Sequence, residues 1–102
     1  MTKFVFAYHG TTRPKDGAQF MMRWKAWVKG LGGALVSPGL PLGQAKTISK
    51  GGVTDGGGSN PLAGFSIIEA ESLEAALALA SDSPHLEIGT IEVAEALDMP
   101  MS

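Results

Sequence analysis

The chain has 102 residues, 44% of them hydrophobic and 18% charged, and it contains no cysteine. These values predict one globular domain over 1–102 and exclude disulfides, thiolate nucleophiles and cysteine-ligated metal sites. A formal net charge of −2 without a basic run argues against nucleic acid as a partner. The short apolar runs predict no membrane span, and the N-terminus lacks the layout of a signal peptide, so we expect a cytoplasmic protein.

The first half of the chain predicts a strand, a helix and a short second strand. Residues 3–9 are aromatic and β-branched and stop at Gly10, which is typical of a strand. Both faces of this strand are mostly apolar, so we expect both to be covered. Apolar residues at helical spacing predict a helix over 15–31, with its positive end near Arg13 and Pro14. Residues 34–36 predict a short or edge strand.

The second half predicts the same kinds of element again. Residues 44–54 indicate a short hairpin, and residues 62–70 indicate a third main strand that is apolar on both faces. Ser72 is a good N-cap for a second helix that ends near 82–84. A fourth strand follows over 90–94. The tail from Leu97 to Ser102 is apolar enough that we expect it to pack against another surface.

The order strand, helix, strand, strand, helix, strand predicts a ferredoxin-like α+β fold. In this fold both helices cover one face of a four-stranded antiparallel sheet. The third strand lies between the first and the second, and the fourth lies outside the first. The other sheet face is left bare although its strands are apolar, so we expect a second copy to cover it and form a homodimer.

This topology places three candidate catalytic residues at one edge of the sheet. His9 ends the first strand, Asp55 precedes the third and His85 precedes the fourth. Asp55 lies in a glycine-rich run and is a candidate general base or a carboxylate that orients a histidine; its alternative role is an Asx-turn. For His9 the alternative is a buried histidine with satisfied hydrogen bonds, and for His85 a cap of the preceding helix.

An anion would also be favoured at this edge, because the first helix begins there. Thr12 and Arg13 are therefore candidate substrate-binding residues, with a solvated loop as the alternative. The glycine-rich run lacks the Gly-Lys-Ser/Thr sequence of a phosphate loop, and the two histidines lack the spacing of a metal motif. We expect neither a metal nor another cofactor.

Several segments together resemble the YCII-related family. They are Val-Thr-Asp-Gly at 53–56, Gly-Phe-Ser-Ile-Ile-Glu-Ala at 64–70, Pro-His-Leu at 84–86 and Ile-Glu-Val at 91–93. One branch of the family carries the motif Asp-Gly-Pro-Phe; Asp55 and Gly56 match it, and Gly57 and Gly58 stand in place of its last two residues. The resemblance implies a dimeric α+β-barrel fold and a His–Asp site. Relatives of the fold include small cofactor-free enzymes that act on aromatic breakdown products.

Two functions follow as hypotheses. The first is a cofactor-free isomerase or lyase in which His9 or His85 moves a proton and Asp55 orients that histidine or shares the proton transfer, on a small carbonyl or aromatic-derived substrate. The second is a non-catalytic dimeric domain that binds a small ligand. A purely structural dimer, in which both histidines are core residues, is a third interpretation.

Overall fold

The computed structural model describes residues 1–99, which form six strands and two α-helices. Two single turns of 3-10 helix lie at Gly32–Ala34 and Pro84–Glu87. The elements in chain order are β1 (Thr2–His9), α1 (Gly17–Leu31), β2 (Leu35–Ser37), β3 (Lys46–Ser49), β4 (Gly52–Asp55), β5 (Leu62–Ala70), α2 (Leu73–Ser81) and β6 (Thr90–Glu95).

Four of the strands form one antiparallel sheet in the order β2-β5-β1-β6. The third main strand of the prediction, β5, lies between the first and the second, and β6 lies outside β1. The α+β class and the ferredoxin-like arrangement are therefore confirmed. The remaining two strands, β3 and β4, pair only with each other, and they fall where the sequence predicts a hairpin.

The core lies between the helices and one face of the sheet. Every second residue of β1 (Phe4, Phe6 and Tyr8) is buried, as period-2 alternation requires. Trp24 and Trp27 of α1 pack against this row. The indole N–H of Trp27 also donates to the carbonyl of Leu79 at 3.1 Å and ties the two helices together.

Helix α1 begins later than the sequence predicts. Its N-cap is Asp16, whose carboxylate accepts a hydrogen bond from the amide of Gln19 at 3.0 Å. Pro14 therefore lies before the helix rather than in its first turn, because a side-chain acceptor two residues later satisfies the free amides. The helix ends as expected, at Gly32, whose φ of 54° falls in the region that favours glycine. Ser72 caps α2 as predicted.

The second face of the sheet carries apolar side chains that no helix covers. Val5 and Ala7 of β1 lie there beside their cross-strand neighbours Ile67 and Phe65 of β5, and all four are only half-buried. We call this surface the open face. The sequence predicts that both faces of β1 are covered. Within a single chain the helices cover only the face that carries Phe4, Phe6 and Tyr8.

The described end of the chain, residues 96–99, has no regular structure. Leu97 and Met99 are 78% and 74% exposed, so the predicted packing of the tail is not seen for these two residues. The rest of the predicted tail, 100–102, lies outside the described residues. Within residues 1–99, neither helix is long and apolar enough to cross a membrane.

Candidate functional site

His9 is the last residue of β1 and lies where three segments meet. The next residue, Gly10, has φ 142° and donates its amide to the carbonyl of Pro61 at 3.0 Å. A side chain at Gly10 would press against the carbonyl of Ile88. Glycine therefore lets the chain leave the sheet close to both neighbouring loops, and this close approach fixes the backbone of His9.

The imidazole of His9 has two different neighbours on its two nitrogens. Nδ1 lies 3.0 Å from the backbone carbonyl oxygen of Asn60. Because a carbonyl only accepts, Nδ1 carries the hydrogen and donates it. Nε2 is buried and lies 3.2 Å from a carboxylate oxygen of Glu92, yet the angle does not suit a hydrogen bond. In the neutral ring Nε2 therefore holds a lone pair with no hydrogen-bond donor among the described residues.

A pocket of about 340 Å³ opens beside this ring. Its volume is at the lower end of the range found for small-molecule sites. The side chain of Glu92 is 75% exposed and can reorient, whereas that of His9 is 20% exposed and held in place. The pocket is lined by His9, Asn60, Thr90, Ile91 and Glu92.

His85 lies behind His9 and is buried, with 7% exposure. Its Nε2 is 2.9 Å from the backbone carbonyl oxygen of His9, to which it donates, and its ring packs edge-on against Tyr8 with centroids 5.2 Å apart. The Cα of Gly89 closes the same contact: a Cβ there would lie 2.0 Å from the carbonyl oxygen of His9 and 2.8 Å from Nε2 of His85. His85 and Gly89 thus clamp the backbone of His9.

The two predicted histidines lie close together in the structure. Their contact joins the ring of His85 to the backbone carbonyl of His9, not one ring to the other. The third predicted residue, Asp55, ends β4 in the separate hairpin. Its carboxylate pairs with Lys46 at 2.9 Å, and its side chain is 84% exposed. The hydrogen bond and ion pair of Asp55 join it to Lys46, so its pairing with a histidine stays a prediction.

Thr12 and Arg13 line a second pocket, of about 470 Å³, before helix α1. This pocket shares no lining residue with the one beside His9. Its other charged members include Arg23 and Glu87, which form an ion pair with each other. A role for Thr12 and Arg13 in substrate binding also stays a prediction.

The hydroxyl of Tyr8 belongs to the buried layer below the site. It donates to Ser66 Oγ at 2.9 Å, and Ser66 donates to the carbonyl of Pro38 at 2.9 Å. Burial raises the pKa of Tyr8 above its ordinary value of 10.0, and the hydrogen bond to Ser66 offsets part of this effect. Tyr8 is therefore a neutral packing residue at ordinary pH. Within residues 1–99, no three His, Asp or Glu side chains cluster as a metal site would require.

Two residues of the site were not predicted from sequence. Glu92 shares the open face with His9, and a two-residue count along β6 from Thr90, the cross-strand partner of His9, locates it. That count needs the register of β1 and β6, which the sequence does not give. Asn60 contacts His9 through its backbone carbonyl, which every residue has, so the residue type does not indicate this role. Its side-chain amide donates to Thr90 Oγ1 at 3.1 Å.

Comparison with protein families gives one match that covers most of the chain. The model of the YCII-related domain matches residues 9–100, from the histidine that ends β1 to beyond the last strand. Comparison with curated proteins gives no match. The matched region contains His9, His85, Glu92 and the hairpin with Asp55.

Proposed function

The chain belongs to the YCII-related family, and from that premise we propose that it is a cofactor-free acid–base enzyme of the isomerase or lyase type. His9 is the residue that moves the proton, on a small carbonyl or aromatic-derived substrate held beside it. The observation that carries this proposal is the unequal environment of the two ring nitrogens.

The hydrogen of His9 Nδ1 is held by the carbonyl of Asn60, so the lone pair belongs to Nε2. A lone pair fixed in direction beside a pocket is what a general base requires. The Glu92 side chain, which is 75% exposed, turns aside to open the buried Nε2 to a substrate carbon, and after Nε2 has taken the proton the carboxylate turns back to accept the new N–H. The charged ring then has an acceptor at each nitrogen, which stabilises the form that exists after proton abstraction.

The other residues have positioning roles in this proposal. Asn60 selects the tautomer, and His85 with Gly89 fixes the carbonyl of His9 and therefore the direction of β1 at its end. Glu92, rather than Asp55, is the carboxylate that partners the histidine. General acid–base assistance of this kind contributes on the order of 10²–10⁴ in rate. Such a factor suits carbon acids already activated by a neighbouring carbonyl or enol.

We further propose that the functional unit is a homodimer joined at the open face. A compact monomer of this length exposes about 5,500 Å², whereas this chain exposes 7262 Å². The excess of roughly 1,800 Å² is about what each subunit buries in a stable homodimer. Val5, Ala7, Phe65 and Ile67 supply the apolar contact, and His9 with Glu92 lies at one end of the same face.

Deuterium exchange tests the catalytic proposal without knowledge of the product. The protein is incubated in deuterium oxide with a panel of lactones, enolisable ketones and chlorinated aromatic derivatives, and NMR follows loss of the C–H signal next to the carbonyl. We expect wild type to accelerate exchange for at least one class. His9→Gln should lower that rate at least about a hundredfold, and Glu92→Gln by a smaller factor.

Two variants make the test specific. Thr90→Ser keeps a hydroxyl in the same pocket and should retain the wild-type rate. Asp55→Asn should also retain it, and a large loss in that variant would instead give Asp55 the role assigned to Glu92. Exchange that is equally fast with His9→Gln and wild type contradicts the proposal.

A second candidate function is a binding domain without catalysis, and the second pocket favours it. Arg13 and Lys15 line that pocket beside an Arg23–Glu87 pair that is already neutral. Asp16 lines the pocket as well and offsets one of these two positive charges, and the positive charge that remains suits a small carboxylate. Calorimetric titration with mono- and dicarboxylates should show binding that Arg13→Gln weakens and His9→Gln leaves unchanged. If no carboxylate binds, this second function is excluded for the class tested.

A further inference from the structure

The hairpin formed by β3 and β4 stands apart from the rest of the fold. Its eight residues, Lys46–Ser49 and Gly52–Asp55, are all exposed, and its strands pair with each other rather than with the main sheet. At its base, the amide of Gly56 donates to the carbonyl of Ala45 at 2.9 Å. We call this element the arm. A two-stranded ribbon on its own is at best marginally stable in water.

The two faces of the arm differ in chemistry. On one face Thr47 and Thr54 oppose each other, and their hydroxyls donate to backbone carbonyls within the arm and its base. On the other face Ile48 and Val53 oppose each other, with 80% and 61% of their surface exposed. On the threonine face both hydroxyls are hydrogen-bonded within the arm and its base. On the isoleucine–valine face an apolar cross-strand pair is exposed to water.

The isoleucine–valine face also has a charged margin. The pair next to Ile48 and Val53 on that face is Lys46 and Asp55, which form an ion pair with each other. Their charges cancel, so the face is an apolar centre with a neutral polar edge. This composition matches a protein–protein interface, in which an apolar centre is surrounded by a polar rim. It does not suit an anionic or cationic partner.

We propose that the arm is a dimerisation arm, which packs its isoleucine–valine face on a second copy of this chain. This inference rests on the homodimer proposed above and adds a contact outside the open face. A second copy is the occupant because this chain exposes roughly 1,800 Å² more than a compact monomer of its length, which is about what one subunit buries in a stable homodimer, and the fully exposed arm contributes to that excess. In a two-fold symmetric dimer the arm of each chain contacts the same surface of the other chain, so both arms become buried when the dimer forms.

Sedimentation equilibrium over a range of concentrations tests the inference. The variant Ile48→Ser/Val53→Ser removes the apolar pair, and Thr47→Ser/Thr54→Ser is the matched control on the other face, which keeps both hydroxyls. We expect the dimer dissociation constant to rise at least about a hundredfold in the first variant and to stay near the wild-type value in the second. Circular dichroism of each variant checks that the domain is folded.

A third variant separates this inference from the homodimer itself. Phe65→Ser/Ile67→Ser alters the open face and should also weaken the dimer. If that variant dissociates while Ile48→Ser/Val53→Ser keeps the wild-type constant, the arm inference is wrong and the homodimer stands. If wild type is a monomer throughout the concentration range, both are wrong. Neither result bears on proton transfer by His9, which the deuterium-exchange assay measures separately.

Hydrogen exchange of the unmodified protein gives a second test. Amides of β3 and β4 should be protected at high concentration and lose that protection on dilution below the dissociation constant, because a lone ribbon opens readily. Amides of β1 should remain protected in both conditions. Exchange in the arm that is fast and independent of concentration would overturn the proposal.

Discussion

The end of β1 and the arm are held in place by different kinds of contact. The loop over residues 56–61 follows the arm and contacts the end of β1 through Asn60 and Pro61. His9 at the end of β1 is held by contacts from distant parts of the chain, through Asn60, His85 and Gly89. The hydrogen bonds and the ion pair of the arm join residues that are near each other in sequence, and its side chains face water. The difference shows that long-range packing fixes the position of the His9 side chain, whereas the arm keeps its shape without such packing.

Gly89→Ala tests the packed side of this comparison and should have the largest effect. The added methyl group would meet the carbonyl of His9 at 2.0 Å, a backbone atom that cannot move aside without shifting β1. We expect a loss of about 3 kcal/mol in the free energy of unfolding, measured by urea denaturation. The matched control is Gly30→Ala in helix α1, where an added Cβ would meet nothing within 4 Å beyond the helix's own backbone and the adjacent residues.

That control should gain about 0.5 kcal/mol, since alanine favours the helix. Equal stability of Gly89→Ala and wild type would mean that the carbonyl of His9 is free to move. The clamp would then not exist.

Tyr8→Phe should have an intermediate effect with a distinct pH dependence. Loss of the bond from the Tyr8 hydroxyl to Ser66 should cost about 1 kcal/mol near neutral pH. Because burial raises the folded-state pKa of Tyr8 above 10.0, the folded protein holds the phenolic proton more tightly than the unfolded chain does. Wild type should therefore lose stability as the pH rises above about 10 and through the folded-state pKa.

The Tyr8→Phe variant has no phenol to ionise and does not lose this stability at high pH. The difference in unfolding free energy between wild type and the variant should therefore shrink as the pH rises. Denaturant unfolding at several pH values measures it. Tyr8 is the only tyrosine, so ultraviolet titration of phenolate reports this residue alone. Ionisation of Tyr8 at its ordinary pKa in the folded protein would show that the hydroxyl is solvated.

Asp55→Asn tests the exposed side of the comparison and should have the smallest effect. The Lys46–Asp55 pair is 71% and 84% exposed, and solvent screens such pairs strongly. We expect the free energy of unfolding to change by at most about 0.5 kcal/mol, with sedimentation unchanged because the amide oxygen of the new side chain can still accept a hydrogen bond from Lys46 and the charge of Lys46 stays in water. A loss above about 2 kcal/mol would indicate that Asp55 has a structural partner besides Lys46.

The sequence was sufficient to predict the main architecture. Alternation in residues 3–9 and 62–70, the N-cap at Ser72 and the order of elements led to the ferredoxin-like sheet, and the YCII-related family followed from short motifs. These features are local patterns, and local patterns persist in the fold. The start of α1 was wrong by a few residues, because Pro14 and Asp16 both favour a helix start and the side-chain acceptor prevailed.

The candidate site was only partly predictable for a different reason. The closeness of His9 and His85 could be predicted because each stands at the end or entry of a strand that the topology brings together. The contact of Glu92 with His9 depends on the register between β1 and β6, and the contact of Asn60 depends on a backbone carbonyl. Neither register nor backbone direction in a glycine-rich loop is specified by residue type.

His9 should present a lone pair on Nε2, and nitrogen NMR of the histidine rings measures this most directly. The chain has two histidines, so two variants, His9→Gln and His85→Gln, assign both spectra. In the neutral protein the hydrogen of His9 should be on Nδ1, where Asn60 accepts it, and that of His85 on Nε2, where the carbonyl of His9 accepts it. Two opposite tautomers are the predicted result; a hydrogen on Nε2 of neutral His9 would show that this nitrogen has no lone pair with which to accept a proton.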